Sequence, residues 1–330
     1  MRKNTCYRGN RTVQAMVTWV VLGGGLLALY VLIYYNLVRC PKCRSSLKLT
    51  GKTVIVTGAN TGIGKACALD LAKRGARVIL ACRDKVKAEA AVYDIRKESG
   101  NNEVLFMHLD LESLQSVRSF AETFLKSEPR LDVLINNAGL ARGKMSSDGF
   151  SIEFRVNHLG HFLLTILLLD RLKQAKAGRV VVVASEAHRW GSIDSHVLSG
   201  VATKNTGWST FRPYCDSKLC NILFTRELAN KLEGTNVSCY AVHPGCVFTD
   251  LSRNMKFWQK LLFVPLAKLF FRDAENGAQT TIYCTVQEGI EMLSGRYFSE
   301  CQVKEVSASG RDDALAKKLW EVSERLVGIA

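Results

Sequence analysis

The sequence predicts an α/β domain built on a doubly wound parallel sheet and preceded by an N-terminal transmembrane helix. Three observations carry this. From Lys52 onward, short β-branched runs alternate with stretches of helical apolar spacing. A glycine cluster, Gly58-Ala59-Asn60-Thr61-Gly62-Ile63-Gly64, falls at the turn from first strand to first helix. No charged residue occurs between Arg11 and Arg39.

Taken in order, residues 1–12 form a basic N-terminus and 13–38 the anchor. Residues 39–50 form a basic juxtamembrane linker, 51–310 the α/β domain and 311–330 a C-terminal helix. The span 13–38 is long enough to cross a hydrocarbon layer of about 30 Å as a helix. Trp19 near one end and Tyr34 and Tyr35 near the other suit the interface. A cleaved signal peptide is the rival reading, but its apolar run is shorter and ends at small residues, whereas this one leads into Arg39-Cys40-Pro41-Lys42. Basic residues flank the span on both sides, so the positive-inside rule nearly ties.

The formal net charge is +15, of which residues 1–52 supply nine Lys/Arg and no acid. The remaining 278 residues carry only +6. This is the pattern of a membrane segment meeting anionic head groups, and it argues against nucleic-acid binding. The eleven cysteines are odd in number and scattered, several within apolar runs. They read as free, mostly buried thiols in a reducing compartment, which favours a cytosolic domain over a lumenal or secreted one. Cys40 and Cys43 have CxxC spacing without the partners a zinc site needs, and His158, His161 and His188 show no metal-ligand pattern, so no metal is expected. The sequon at Asn236 falls in a predicted buried strand and is expected to go unused. The one at Asn10 matters only if the N-terminus is lumenal.

The predicted strands are Thr53–Thr57, Arg77–Ala81, Val104–His108, Asp132–Ile135, Arg179–Ala184 and Val237–His243. Helices are expected over Gly62–Arg74 and near 84–98, 113–127, 151–176 and 211–233. Glycine in the first turn lets backbone approach a pyrophosphate that a Cβ would obstruct. An NAD enzyme would carry a carboxylate at the end of the second strand. Here Ala81-Cys82 leads into Arg83, whose guanidinium suits a 2′-phosphate, so NADP(H) is expected, although Asp84 follows directly. Tyr214 and Lys218 stand four apart, on one helical face, and a cation beside a phenol favours the phenolate. Ser185 ends the fifth strand at the sheet edge where ligands bind, though a simple turn cap is the plainer reading.

These motifs together resemble the short-chain dehydrogenase/reductase family, a single Rossmann-like domain, over about residues 50–310. The GxxxGxG spacing, Asn136-Asn137-Ala138-Gly139 and Tyr214-Cys215-Asp216-Ser217-Lys218 carry the resemblance. TGANTGIG, LACRD, the 29-residue step from Ser185 to Tyr214 and GRYF at 295–298 resemble its retinol dehydrogenase branch. The resemblance implies Tyr214, Lys218, Ser185 and Asn157 as catalytic residues. For the cofactor it implies Gly58, Asn60, Thr61, Gly62, Ile63, Gly64, Arg83, Asp110, Asn137, Ala138, Gly139, Pro244, Gly245 and Thr249, together with Tyr214 and Lys218. Asp110 would meet the adenine, or else cap the following helix. Asn157 would anchor a water chain to the lysine. Residues 246–272, apolar and basic around Pro265, would form a substrate lid. The implied activity interconverts a lipophilic alcohol and its aldehyde or ketone, in a membrane-bound enzyme at the endoplasmic reticulum with the domain facing the cytosol. A homodimer is compatible with it. A nucleotide- or lipid-binding scaffold that kept the fold without turnover is the competing class. Two departures stand out: Ala184 replaces a commoner serine, and Asp216 adds a carboxylate that its i+2 position should turn away from Lys218.

Overall fold

The computed structural model describes residues 18–31, 34, 41–143, 145–146, 149–194, 211–247 and 271–329. Thr249, Asn10, Pro265, most of the 246–272 lid and the whole 1–12 segment therefore lie outside the described residues. Residues 18–31 are helical, with Trp19, Leu26 and Leu27 exposed. Among the described residues no helix is long and apolar enough to cross a membrane.

Six strands, β1 (Thr53–Thr57), β2 (Arg77–Cys82), β3 (Val104–His108), β4 (Val133–Asn136), β5 (Gly178–Val183) and β6 (Val237–His243), pair in parallel. The sheet order is β3-β2-β1-β4-β5-β6-β7-β8. Its edge is completed by β7 (Tyr297–Ser299), parallel to β6, and β8 (Gln302–Lys304), antiparallel to β7. The chain winds outward from β1 to β3, then returns to lay β4 on the other side of β1. The crevice at this reversal, at the carboxyl ends of β1 and β4, is where ligands bind in such sheets.

Helices cover both faces because the strands are apolar on both. Ile55, Leu134, Val180 and Val182 face one layer, packed by α3 (Leu114–Ser127), α4 (Gly160–Lys173), α5 (Arg212–Lys231) and α7 (Asp313–Val327). Their neighbours Val54, Val56, Ile135, Val181 and Val183 face the other, packed by α1 (Gly62–Lys73), α2 (Lys85–Ser99) and α6 (Ala274–Val286). Each such fully buried side chain contributes roughly 1.5–3 kcal/mol of burial free energy. Trp320 of α7 lies against Phe162 and Phe224 in the first layer.

Three expectations need correction. Asn236 is exposed just before β6, where its amide donates to the carbonyls of Lys173 and Ala175. The capping residue of α3 is Ser113, which accepts from the Ser116 amide, and not Asp110. The long helix expected over 151–176 opens with a π-turn at Phe154–Leu159 before α4. Among the described residues no disulfide joins the nine cysteines, and six of them are buried.

Candidate active site

Glycine is required in the β1–α1 turn for three different local reasons. Gly58 adopts φ +64°, and a Cβ there would meet Ala138 at 3.0 Å. Gly62 also lies in the left-handed region, at φ +57°, but faces open space. At Gly64 a Cβ would stand 2.5 Å from the Asn137 side-chain nitrogen and 2.6 Å from the Gly58 carbonyl. Thr61 caps α1 with extended backbone and no side-chain hydrogen bond, and the first turn holds no acid. That open positive helix end suits a pyrophosphate, so the loop fits the nucleotide that the motif implies.

Asn137 and Ala138 are held to this loop from β4. Both backbone N–H groups donate to the Thr57 hydroxyl at 2.9 Å, and Asn137 Nδ2 donates to the Thr57 carbonyl at 2.8 Å. His161 completes the cluster: its Nε2 lies 2.8 Å from the Thr57 hydroxyl and its Nδ1 3.1 Å from the Asn157 carbonyl. The sequence reading missed Thr57, although a threonine directly before Gly58 was visible there, and it read His161 only as packing or pocket lining.

At the end of β2, Arg83 is half exposed and leans towards Glu112 at 3.5 Å and Asp110 at 3.9 Å. Asp84, the carboxylate that weighs against a 2′-phosphate, is turned into the N-cap of α2. It accepts from the Lys87 amide at 3.1 Å and pairs with the Lys87 ammonium at 3.0 Å, and these contacts hold its carboxyl below the usual range. Asp110 accepts from the Glu112 amide at 3.1 Å.

Asn157, Tyr214, Lys218 and Ser185 come together from three elements. Asn157 sits within the π-turn, where the widened backbone is a frequent feature of functional sites. It is fully buried. Its Nδ2 donates to Ser217 Oγ and to the Leu140 carbonyl, both at 3.0 Å, and its Oδ1 accepts from the Leu140 amide at 2.9 Å. The Leu140 pairing thus ties it to the chain just past Gly139. A Cβ on Gly139 would lie 3.4 Å from Lys218 Nζ and 3.6 Å from Asn157 Oδ1, ordinary contact distances that place this glycine beside both groups. Lys218 Nζ donates to the Val183 carbonyl at 2.8 Å and stands 5.6 Å from the centre of the Tyr214 ring.

Ser185 caps a 3₁₀ turn, Glu186–Trp190, by accepting from the Ala187 amide at 3.2 Å. The capping role and a role beside Tyr214 are therefore compatible. Behind it, His188 Nδ1 lies 2.7 Å from the Ser185 carbonyl while its Nε2 accepts from the Ser307 amide at 3.2 Å. Asp216 faces away from Lys218, accepting from Ser192 N at 2.8 Å and Arg212 Nε at 3.1 Å.

The electrostatics differ from the expectation that a nearby cation would lower the phenol. Burial pushes Tyr214 up, and the neighbouring Ser185 side chain only partly opposes this. Burial also draws Lys218 down to about 8. Desolvation is the leading cause at both groups, because each is more costly to charge inside the protein than in water.

Gly245 adopts φ +85° with the Arg272 guanidinium directly behind it. Arg272 is 2% exposed, pairs with Glu300 at 2.8 Å and donates to the Pro244 carbonyl at 3.5 Å. Nothing in the sequence pattern pointed to this pair. Among the described residues no cluster of three or more His, Cys, Asp or Glu could hold a metal. His158, His161 and His188 instead serve separate partners, His158 reaching Ser323 of α7 at 2.8 Å.

Comparison with known proteins agrees with this layout. Residues 52–260 match the family model described as short chain dehydrogenase. The human protein named Dehydrogenase/reductase SDR family member 13 is 55% identical over 313 residues, covering 94% of this chain and 82% of that one. Human Retinol dehydrogenase 12 is 49% identical over 293 residues, covering 87% and 90%. The crystal structure of an uncharacterized protein from Mycobacterium Paratuberculosis superposes with TM-score 0.70 at 34% identity, covering 88% of this chain and 98% of that one. With a matching family model over most of the sheet, relatives above the level of chance along nearly the whole length, and the tyrosine–lysine pair in place, this chain belongs to the short chain dehydrogenase family.

Proposed function

We propose that the chain is an NADP(H)-dependent oxidoreductase that interconverts a lipophilic alcohol and its aldehyde or ketone. One observation carries this reading: Lys218 Nζ lies 5.6 Å from the centre of the Tyr214 ring, with Ser185 near enough to the same phenol to act against the effect of its burial. Family membership supports an oxidoreductase acting on CH–OH groups. NADP(H) as cofactor is supported by Arg83 standing at the end of β2 with Asp84 withdrawn into a helix cap.

The loop Gly58–Gly64 and the N-terminus of α1 would hold the pyrophosphate, Arg83 the 2′-phosphate, Asp110 the adenine side, and Asn137, Ala138, Gly139, Pro244, Gly245 and Thr249 the nicotinamide half. The bound nicotinamide supplies or accepts a hydride. Ser185 orients the substrate carbonyl by donating to its oxygen. Tyr214 gives that oxygen its proton in reduction and takes it back in oxidation. A buried phenol is hard to ionise, which favours the proton-donating role until the substrate oxygen develops charge. Lys218 stabilises the phenolate that remains, and Asn157 holds the loop past Gly139 against the lysine while proton return proceeds.

The remainder of the proposal concerns place. An apolar span at 13–38 anchors the chain in the endoplasmic reticulum membrane with the domain facing the cytosol. The unpaired thiols fit that reducing side. A segment at 246–272 that is apolar and basic suits a lipophilic substrate.

The test is NADPH consumption with all-trans-retinal, steroid and fatty-aldehyde panels, comparing the intact chain with Tyr214→Phe. Turnover falls by about 10²–10⁴-fold in the variant while NADPH affinity is unchanged. Cofactor binding without turnover in either protein would instead identify a scaffold.

A further inference from the structure

The stretch that the sequence reads as a linker between anchor and domain is built into the domain. From 42 to 49 the chain belongs to neither helix nor sheet, and its burial alternates without a break. Cys43, Ser45, Leu47 and Leu49 turn inward, while Lys42, Arg44, Ser46 and Lys48 turn outward. A period of two is that of a strand with one buried face. Cys43 and Leu47 pack on the core layer of α1, α2 and α6, and Leu49 is buried in it.

Hydrogen bonds fasten the same residues along their length. The Cys43 amide donates to Gln279 Oε1 at 2.9 Å, and Ser45 Oγ donates to the Val286 carbonyl at 3.3 Å, both on α6. Arg74, at the end of α1, donates Nη1 to the carbonyls of Ser45 at 2.7 Å and Leu47 at 3.1 Å. Its own carbonyl accepts from the Leu49 amide at 2.8 Å. At the far end, Cys301 Sγ in the β7–β8 turn donates to the Pro41 carbonyl at 3.3 Å.

Docking of this kind removes slack. Pro41 is held at Cys301, and it lies only three residue steps from Val38, the last residue of the apolar span. At 3.3–3.6 Å per residue they reach at most about 11 Å. The surface around Pro41 and Cys301 must therefore lie against whatever the apolar span is embedded in. On that surface three of the four outward residues of 42–48 are cationic. Lys42 has Glu275 at 3.6 Å, an exposed pair of little strength. Arg44 and Lys48 form no salt bridge among the described residues.

We propose that residues 41–49 are a strap that rests the outward edge Lys42, Arg44 and Lys48 on anionic phospholipid head groups and so fixes how the domain sits on the bilayer. This rests on the membrane reading of 13–38 given above. The test places the full chain in nanodiscs of phosphatidylcholine with or without phosphatidylserine and follows amide hydrogen exchange. With phosphatidylserine, amides of 42–49 and 300–304 exchange at least about fivefold more slowly, the effect of about one basic residue near an anionic surface. Lys42→Glu/Arg44→Glu/Lys48→Glu removes that difference, with NADPH binding retained as the check that the domain is folded. Equal exchange in both lipids, or a difference that survives the triple change, overturns the strap while leaving the anchor intact. A chain that washes off the discs in carbonate overturns the anchor and the strap together.

Discussion

The imidazole of His161 and the hydroxyl of Thr57 meet at 2.8 Å, and their other partners decide which of them donates. His161 Nδ1 faces the Asn157 carbonyl at 3.1 Å, which can only accept, so that nitrogen carries the proton and Nε2 is the acceptor. Thr57 therefore gives its single hydrogen to His161 and spends both lone pairs on the amides of Asn137 and Ala138. The chain from the Asn157 helix to the cofactor loop is saturated, with each member in a fixed protonation state.

Thr57→Val keeps the shape but leaves the Ala138 amide and one imidazole nitrogen without partners, while the Asn137 amide keeps the Ile135 carbonyl at 3.0 Å. Each buried orphan costs about 1–3 kcal/mol. Urea unfolding of Thr57→Val shows a loss of at least about 2 kcal/mol with a raised KM for NADPH, while Thr57→Ser stays near the parent. Equal behaviour of the two variants would remove the hydroxyl from this role.

Burial holds three histidines well below their ordinary value: His158 at about 3, and His161 and His243 at about 4. Each folds neutral, so the unfolded chain takes up protons first as pH falls below about 6.5. Their contribution is complete above that pH and is lost progressively between about 6.5 and the folded values. Each adds a slope of up to about 1.4 kcal/mol per pH unit in that window. His158→Phe, placed among Phe154, Phe162 and Phe224, loses one such slope. Denaturation midpoints at pH 7, 6 and 5 measure it.

Lys218 titrates near 8 because burial disfavours its ammonium. Above that pH the charge beneath Tyr214 disappears, so kcat/KM declines on the alkaline side with an apparent pKa of about 8. Folding responds oppositely, since the unfolded lysine still binds its proton up to about 10.5 and this group's contribution rises across that interval. Rate and stability followed together from pH 7 to 10 should therefore separate, and a rate that falls only where the protein unfolds would contradict the assignment.

Arg83→Ala should raise KM for NADPH by about 10–100-fold, the worth of one charged hydrogen-bonding partner, and leave KM for NADH nearly unchanged. An equal effect on both cofactors would make Arg83 an ordinary surface residue. Steady-state kinetics with the two cofactors decides it.

The six parallel strands were legible to within about a residue because each is a β-branched run between punctuation, and the tyrosine–lysine pair because helical spacing is rigid. The edge of the sheet was not. β7 has three residues, and its turn to β8 uses Glu300 at φ +56° and Cys301 at φ +57°, left-handed positions without the glycine or asparagine that would signal them. α6 is rich in threonine and contains Gly277, so its helix rests on packing more than on propensity. The phenol was misjudged for a related reason. Sequence shows which charges are near a group, but not how much water the fold takes from it, and at Tyr214 the second effect is the larger.

Six of the nine described thiols are sealed inside the protein, and burial raises all six above their ordinary value: Cys67, Cys82, Cys215, Cys220, Cys239 and Cys284. They stay unreactive for as long as the sheet and its two helical layers remain closed, while Cys43, Cys246 and Cys301 present partly or fully open sulfurs. The molecule thus carries an internal clock. A fast alkylating reagent marks the outer thiols first and the six inner ones only at the pace of opening, so mass spectrometry over time reads out when each layer parts from the sheet.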